Sequence, residues 1–320
     1  MKESLTMTVS VIVCTYNRCK SLAQTLESLS ASVMPADEEW EVLVVDNNSS
    51  DGTHDVVQRF CELNPKRFRY LFESNQGKAY ALNRAIQESR GRILAFTDDD
   101  VKVDPQWLQN LTSIIGDEYV GSAGRILPAQ IFDRPPWLSL EGRYNMMGPL
   151  SPHFDPGNIP FDLKEAPWGA CMAFRREMFE KYGTFRLDLG PNGKRRVSSE
   201  DTEFGRRLLA GGERLRYVPS ATVYHEILDE RLNKDFFLTW WFGLGRGRTK
   251  ERKQDLNVFD TMKIVVRTFA TTIGWSLSFS PQKRFYRKCQ VWFGAGKLLE
   301  AIRPGDSNQK AGSQTQGLSC

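Results

Sequence analysis

Arg92-Ile93-Leu94-Ala95-Phe96-Thr97-Asp98-Asp99-Asp100-Val101 is an apolar run of strand length that ends in three carboxylates. A short buried strand is a rigid platform, and its end can hold charge at the mouth of a site. Three adjacent acids repel one another, so water or a hard, oxygen-seeking divalent cation must compensate. Alternate side chains share a face in an extended chain. Asp98 and Asp100 are therefore expected to converge while Asp99 points away. That spacing suits a cation that also grips a diphosphate; a solvated acidic turn is the competing reading.

Three further strands precede this one. Val9 to Tyr16 is a buried run followed by a helix with Leu22, Leu26 and Leu29 on one face. Trp40 to Val45 is a second, ending in the turn-rich Asp46-Asn47-Asn48-Ser49-Ser50-Asp51-Gly52-Thr53. Phe68 to Phe72 is a third, and Ser74 to Lys78 leads into a helix carrying Ala81, Leu82, Ala85 and Ile86. Strands alternating with helices imply βαβ units and a mostly parallel sheet. Ligands of such sheets bind outside the carboxyl ends of the strands. Thr15 to Arg18, Asp46 to Asp51 and Asp98 to Asp100 all sit there. Neither GxGxxG nor GxxxxGK[ST] follows the first strand, which excludes a P-loop and disfavours an NAD-type fold.

Downstream, Asp104-Pro105 reads as a helix start, with Asp104 structural. Val120 to Ile126 is expected to be a fifth strand. Pro128 to Pro167 is irregular and holds 8 of the 15 prolines. Trp168 to Phe174 then reads as a strand and Arg175 to Tyr182 as a short helix. Asn192 to Val197 is a basic loop, either a phosphate contact or solvated. Ser198 to Phe204 opens a helix in which Ser198 and Asp201 fit a capping box. Tyr217 to Tyr224 is a strand broken at Pro219 and ending at His225, which without other context reads as structural.

The 320 residues suffice for a large α/β domain of about 230 residues and an appendage. The net charge of +4 hides an asymmetry: Arg231 to Pro304 carries 15 Lys and Arg against 5 Asp and Glu, and the remainder 28 against 34. Phe236 to Phe242, Ile264 to Phe279 and Phe285 to Ile302 look like amphipathic helices with basic flanks, which either pack on the domain or meet an anionic membrane surface. No apolar run reaches transmembrane length, and no nucleic-acid module is recognisable. The six cysteines match no zinc spacing and read as reduced cytosolic thiols. Gly305 to Cys320 is polar and expected to be disordered.

Val-Ile-Val-Cys-Thr-Tyr-Asn-Arg, Val-Val-Asp-Asn-Asn-Ser-Ser-Asp-Gly-Thr, Asn-Gln-Gly-Lys-Ala-Tyr-Ala-Leu-Asn-Arg-Ala, Asp-Asp-Asp and Ser-Glu-Asp follow one another in this order. Together they resemble family 2 glycosyltransferases of the GT-A fold, over roughly residues 8 to 226. The resemblance implies a Rossmann-like α/β fold: a mixed, mostly parallel sheet flanked by helices, with a C-terminal helical appendage. It implies a catalytic unit over 1–230, with a nucleotide-sugar half at about 8–126 and an acceptor half at about 127–230. A basic helical region over 231–304 and a tail over 305–320 would follow. Thr15, Tyr16 and Arg18 would line the nucleotide pocket. Asp46 would bond the base, commonly uracil, with Asn48 and Asp51 nearby, and Gly77 and Lys78 would approach the base or diphosphate. Asp98 would lie near ribose beside Asp99, and Asp100 would touch the metal, Mn²⁺ or Mg²⁺. Asp201, next to Glu200, matches the general base, and His225 falls where some members supply a further metal ligand. Trp168 and Gly169 are expected to floor the acceptor site.

The resulting expectation is an inverting, metal-dependent transferase moving a sugar from a UDP-linked donor to a hydroxyl of a glycan or lipid-linked acceptor. It would act in the cytoplasm, at the cytosolic membrane face. A sugar nucleotidyltransferase and a catalytically silent glycan-binding protein are the rival readings.

Overall fold

The computed structural model describes residues 7–192, 195–196, 200–252 and 256–303. The tail at 305–320, Ser198 of the capping box and the side chains of the 192–197 loop lie outside the described residues. The first half alternates β1 (Val9–Thr15), α1 (Cys19–Ser30), β2 (Trp40–Asp46), α2 (Thr53–Leu63), β3 (Phe68–Phe72), α3 (Lys78–Glu88) and β4 (Ile93–Asp98). Then come β5 (Val101–Val103), α4 (Trp107–Thr112), β6 (Gly121–Pro128), α5 (Met147–Leu150), β7 (Phe161–Asp162), β8 (Met172–Arg175) and α6 (Glu177–Tyr182). A small hairpin, β9 (Pro191–Asn192) and β10 (Arg195–Arg196), precedes α7 (Glu200–Ala210) and β11 (Leu215–His225). Three long helices close the described chain: α8 (Lys234–Glu251), α9 (Val258–Ser276) and α10 (Pro281–Ile302).

Among the described residues the main sheet has nine strands, ordered β3-β2-β1-β4-β8-β6-β11-β5 with β7 also on β11. β1, β2, β3 and β4 run parallel, as β6 does to β11. β8 lies antiparallel between β4 and β6, and β5 pairs antiparallel with β11. The chain thus crosses from β4 in the middle of the sheet to β5 at its edge within two residues. Val101 then stands opposite His225. This register carries a residue from the far end of the domain to the acidic turn.

Apolar side chains fill both faces. On one, Leu22, Leu26, Leu29, Val57 and Trp107 cover the sheet. On the other, Phe96 and Phe174 meet Phe179 and Phe204, the last two stacked at 4.3 Å. That stack seats α7. Gly205 lets the same helix press on Pro167, where a Cβ would come within 2.7 Å. A third cluster joins Phe237 of α8 and Phe285 and Cys289 of α10 to Leu138, Met147 and Leu150. Of the two fates open to the C-terminal helices, packing therefore holds for α8 and α10. α9 buries no residue fully.

Three expectations are corrected. Trp168 to Cys171 is a turn, closed by the Cys171 N–H on the Trp168 carbonyl at 3.1 Å, and the strand begins only at Met172. Pro219 does not break its strand: β11 continues through a register shift between Val218 and Thr222, which absorbs the missing N–H. Asp99 does not point away: Asp99 and Asp100 form a turn, and Asp99 is buried.

Candidate active site

Asp98, Asp100 and His225 each offer a ligand atom, all within 4.8 Å of one another. His225 Nε2 lies 3.1 Å from Asp100 and 4.0 Å from Asp98, while its Nδ1 is 2.9 Å from the Glu226 carbonyl. That contact orients the ring and leaves Nε2 toward the acids. Two carboxylates and an imidazole on fixed strand ends are a donor set that fits Mg²⁺ or Mn²⁺. Arg18 reaches both neighbours, 2.5 Å to Asp100 and 3.2 Å to Asp99, and Arg231 lies 2.8 Å from Asp100. Burial pushes the Asp99 carboxyl up to about 6 in spite of Arg18. Burial alone would also raise Asp100, but His225, Arg18 and Arg231 hold it at about 2.

Lys78 joins this acidic turn to α7. Its Nζ is 2.6 Å from Asp98 and 4.0 Å from Glu200. Burial disfavours its charge, yet Asp98, Glu200 and Asp201 keep its pKa well above the ordinary range. Lys78 therefore stands between the strand-end acids and the start of α7, and brings the two within the span of one side chain's contacts. Asp201 sits there with Oδ2 accepting from the Gly169 N–H and Oδ1 from the Thr202 N–H, each at 2.7 Å. A Cβ on Gly169 would stand 2.8 Å from that Oδ2, so only glycine lets the carboxylate dock this way. Trp168 is half-buried and packs on the core behind it.

The other residues singled out in the sequence divide into two groups. Thr15 and Asp46 are buried at the ends of β1 and β2; Tyr16 is exposed beside them. Asp46 accepts from the Ser49 N–H at 2.9 Å and from the Tyr70 hydroxyl at 3.0 Å, and burial with that bond pushes Tyr70 up to about 12. Gly77 has φ of +143°, a conformation that favours glycine, at the start of α3. Asn48 also has positive φ, at +65°. Asp51 is spent on architecture: it accepts from Cys19 N at the start of α1 and from Thr53 at the start of α2.

Residues 10–183 match the family model Glycosyl transferase family 2. The chain belongs to glycosyl transferase family 2. The transferase is 26% identical over 247 residues to the glucosyl-dolichyl phosphate glucuronosyltransferase of Haloferax volcanii, covering 75% of this chain and 76% of that one. It is 27% identical over 231 residues to the succinoglycan biosynthesis protein ExoM of Rhizobium meliloti, covering 71% and 69%. Its fold resembles the mannosyltransferase PcManGT of Pyrobaculum calidifontis, solved with GDP-Man and Mn²⁺, at a TM-score of 0.61, 19% identity and coverage of 92% and 88%. The expected GT-A architecture, with its C-terminal helical region, is thereby borne out, and the nucleotidyltransferase reading falls away.

Two residues of this family 2 transferase's site had no separate signal in its sequence. Asn47 is buried, donates to the Glu73 and Asn75 carbonyls and accepts from the Gly77 N–H at 2.7 Å. It ties the end of β2 to the loop before α3, but sits in a stretch that reads simply as a turn. Arg231 meets Asp100 from 131 positions away and is steadied by the Leu150 carbonyl. No local pattern reveals such a contact.

Proposed function

We propose that this glycosyltransferase is an inverting enzyme that moves a sugar from a UDP-linked donor to a hydroxyl of a glycan or lipid-linked acceptor, with Asp201 as general base. The observation that carries the reading is the Lys78 bridge, which links Asp98 of β4 to Glu200 at the start of α7. Asp98, Asp100 and His225 would hold Mn²⁺ or Mg²⁺, which when bound neutralises charge on the departing diphosphate. Arg18 and Lys78 would bind that diphosphate, with Glu200 beside Lys78. Asp46, Tyr70 and the Asn47–Gly77 loop would hold the base, with Thr15, Tyr16 and Asn48 at its rim.

Asp201 takes the acceptor proton as the new bond to the anomeric carbon forms and the bond to the diphosphate oxygen breaks. A single displacement inverts that carbon. The two backbone N–H donors fix the carboxylate while leaving lone pairs for the proton. Trp168 offers an aromatic face to the acceptor. Residues 1–230 would form the catalytic unit, and 231–304 would rest on an anionic membrane at its cytosolic face. The exposed apolar face of α9 and the basic charge beside it support that placement.

Thermal-shift screening of nucleotide sugars with and without Mn²⁺, then NMR of the product's anomeric centre, tests the reading. UDP-sugar stabilisation and an inverted centre are expected. Retention of configuration, or full transfer by Asp201→Asn, removes the base assignment.

A further inference from the structure

α9 separates two unlike surfaces. Phe259, Met262, Val266, Phe269, Ile273 and Leu277 recur every three or four residues and form one outward stripe. Phe259 and Phe269 are 68% and 67% exposed. The opposite face, with Lys263 and Arg267, lines a cleft of about 1080 Å³ shared with α8 and α10. No helix among the described residues is long and apolar enough to cross a membrane.

The cleft is strongly cationic. Its acids are already engaged: Glu251 pairs with Arg206 and Asp260 with Lys263. Arg248, Arg252, Arg267 and Lys297 have no carboxylate partner among the described residues. Arg248 and Lys297 flank the same Phe293 ring, at 5.7 and 4.5 Å from its centre. Burial, then repulsion from Arg248, Arg267 and Arg252, draws the Lys297 pKa down. The walls cannot easily spread to relieve this. A Cβ on Gly294 would meet Thr268 at 2.2 Å, and one on Gly245 would meet the Phe293 carbonyl at 2.2 Å, so the three helices are in close contact.

We infer that this cleft binds the phosphate headgroup of a membrane lipid while the α9 stripe lies in the bilayer surface. The inference rests on the reading that the C-terminal helices meet an anionic membrane, and adds a built site to it. Guanidinium forks and an ammonium are the side chains that recognise phosphate oxygens. An interfacial helix sinks its apolar face about 5–10 Å into the headgroup boundary, and a helix is about 10 Å across. The cleft behind α9 would then lie at phosphate level. α7 also reaches this cleft: its Arg206, paired with Glu251, borders it five residues beyond Asp201.

Vesicle flotation tests this with the full chain. Phosphatidylcholine vesicles carrying phosphatidic acid are compared with vesicles of matched surface charge carrying phosphatidylserine. Wild type should favour phosphatidic acid several-fold. Arg248→Gln/Lys297→Gln should abolish that preference, and the single change Arg267→Gln should weaken it. Lys283→Gln/Arg284→Gln removes equal charge from α10 outside the cleft and should lower binding to both vesicles while keeping the preference. UDP-induced thermal shifts should not move in any variant. Equal binding of wild type to both vesicles overturns the site while leaving the membrane reading intact; no binding to either overturns both. Protection by inorganic diphosphate alone, without vesicle binding, would assign a soluble phosphate instead. Concentration-dependent dimerisation abolished by Phe269→Ser, again without vesicle binding, would assign the stripe to a second copy of the chain.

Discussion

The Gly169 N–H donates to Asp201 Oδ2 at 2.7 Å, and a Cβ on Gly169 would lie 2.8 Å from that same oxygen. The glycine thus both supplies the donor and leaves the room. Gly169→Ala should displace the carboxylate without removing it. A misplacement on the order of 1 Å can cost about 10²-fold in rate, and loss of a positioned base costs ~10²–10⁴-fold. Steady-state kinetics should therefore show kcat falling in both Gly169→Ala and Asp201→Asn, with donor KM little changed. Wild-type kcat in Gly169→Ala would mean that this contact does not position the base.

Asp100 is the most heavily compensated acid of the site, with His225, Arg18 and Arg231 all on it. Asp100→Asn keeps the shape and removes the charge. Mn²⁺ binding, followed by the EPR signal of the free ion in the presence of UDP, should weaken strongly. Chelation of wild type should stop transfer, and added Mn²⁺ or Mg²⁺ should restore it. Asp100→Asn should lose at least about 10²-fold in kcat, because metal-assisted charge neutralisation is worth several kcal/mol. Unchanged Mn²⁺ affinity would remove Asp100 from the ligand set.

The Asn47 side chain makes four hydrogen bonds from a buried position, to the Glu73 and Asn75 carbonyls and from Gln76 Nε2 and the Gly77 N–H. Asn47→Ala leaves the Gly77 N–H and two carbonyls unpaired, at about 1–3 kcal/mol for a buried polar group. Since the loop it holds leads directly into Lys78, donor affinity should fall about tenfold by calorimetry, on the same energy scale. Urea unfolding should show a loss of stability of similar size. A stability loss with unaltered donor affinity would make Asn47 purely structural.

What could be read from the chain follows from how local each interaction is. β1, β2, β3 and β4 are legible because each is a short buried run ended by turn residues, and α1 and α3 because leucine or alanine recurs on one face. The acidic turn was legible as chemistry, but not in its geometry. Strand alternation predicts that Asp98 and Asp100 converge and Asp99 turns outward; the chain instead turns at Asp99, which Arg18 draws inward. His225 joins them only because the three-residue β5 pairs with the end of β11. That pairing joins strands about 120 residues apart in sequence, and no periodicity encodes it. Arg231 is hidden for the same reason. The helical character of 231–304 was legible from composition, whereas which helix would stay uncovered depended on packing against Leu138 and Met147.

Asp162 fastens the proline-rich segment to the sheet. From β7 it pairs with Arg216 at 2.5 Å and Arg214 at 2.7 Å, and it accepts from the Tyr119 hydroxyl at 3.0 Å. Hydrogen bonds from Arg214, Arg216 and Tyr119 hold its carboxyl down at about 2. An unfolded aspartate titrates near about 3.9. Because the folded value is the lower one, the unfolded chain takes up the proton first as pH falls. The stabilisation is therefore complete above about pH 5 and disappears as pH drops through the unfolded and then the folded value. Asp162→Asn should be less stable than wild type by a constant margin near neutrality, and the two urea midpoints should converge as pH approaches about 2. The pair is solvent-exposed, so the margin should be small and should shrink further in high salt. A margin that grows on acidification would mean that Asp162 is held protonated in the folded protein, against the three donors that surround it.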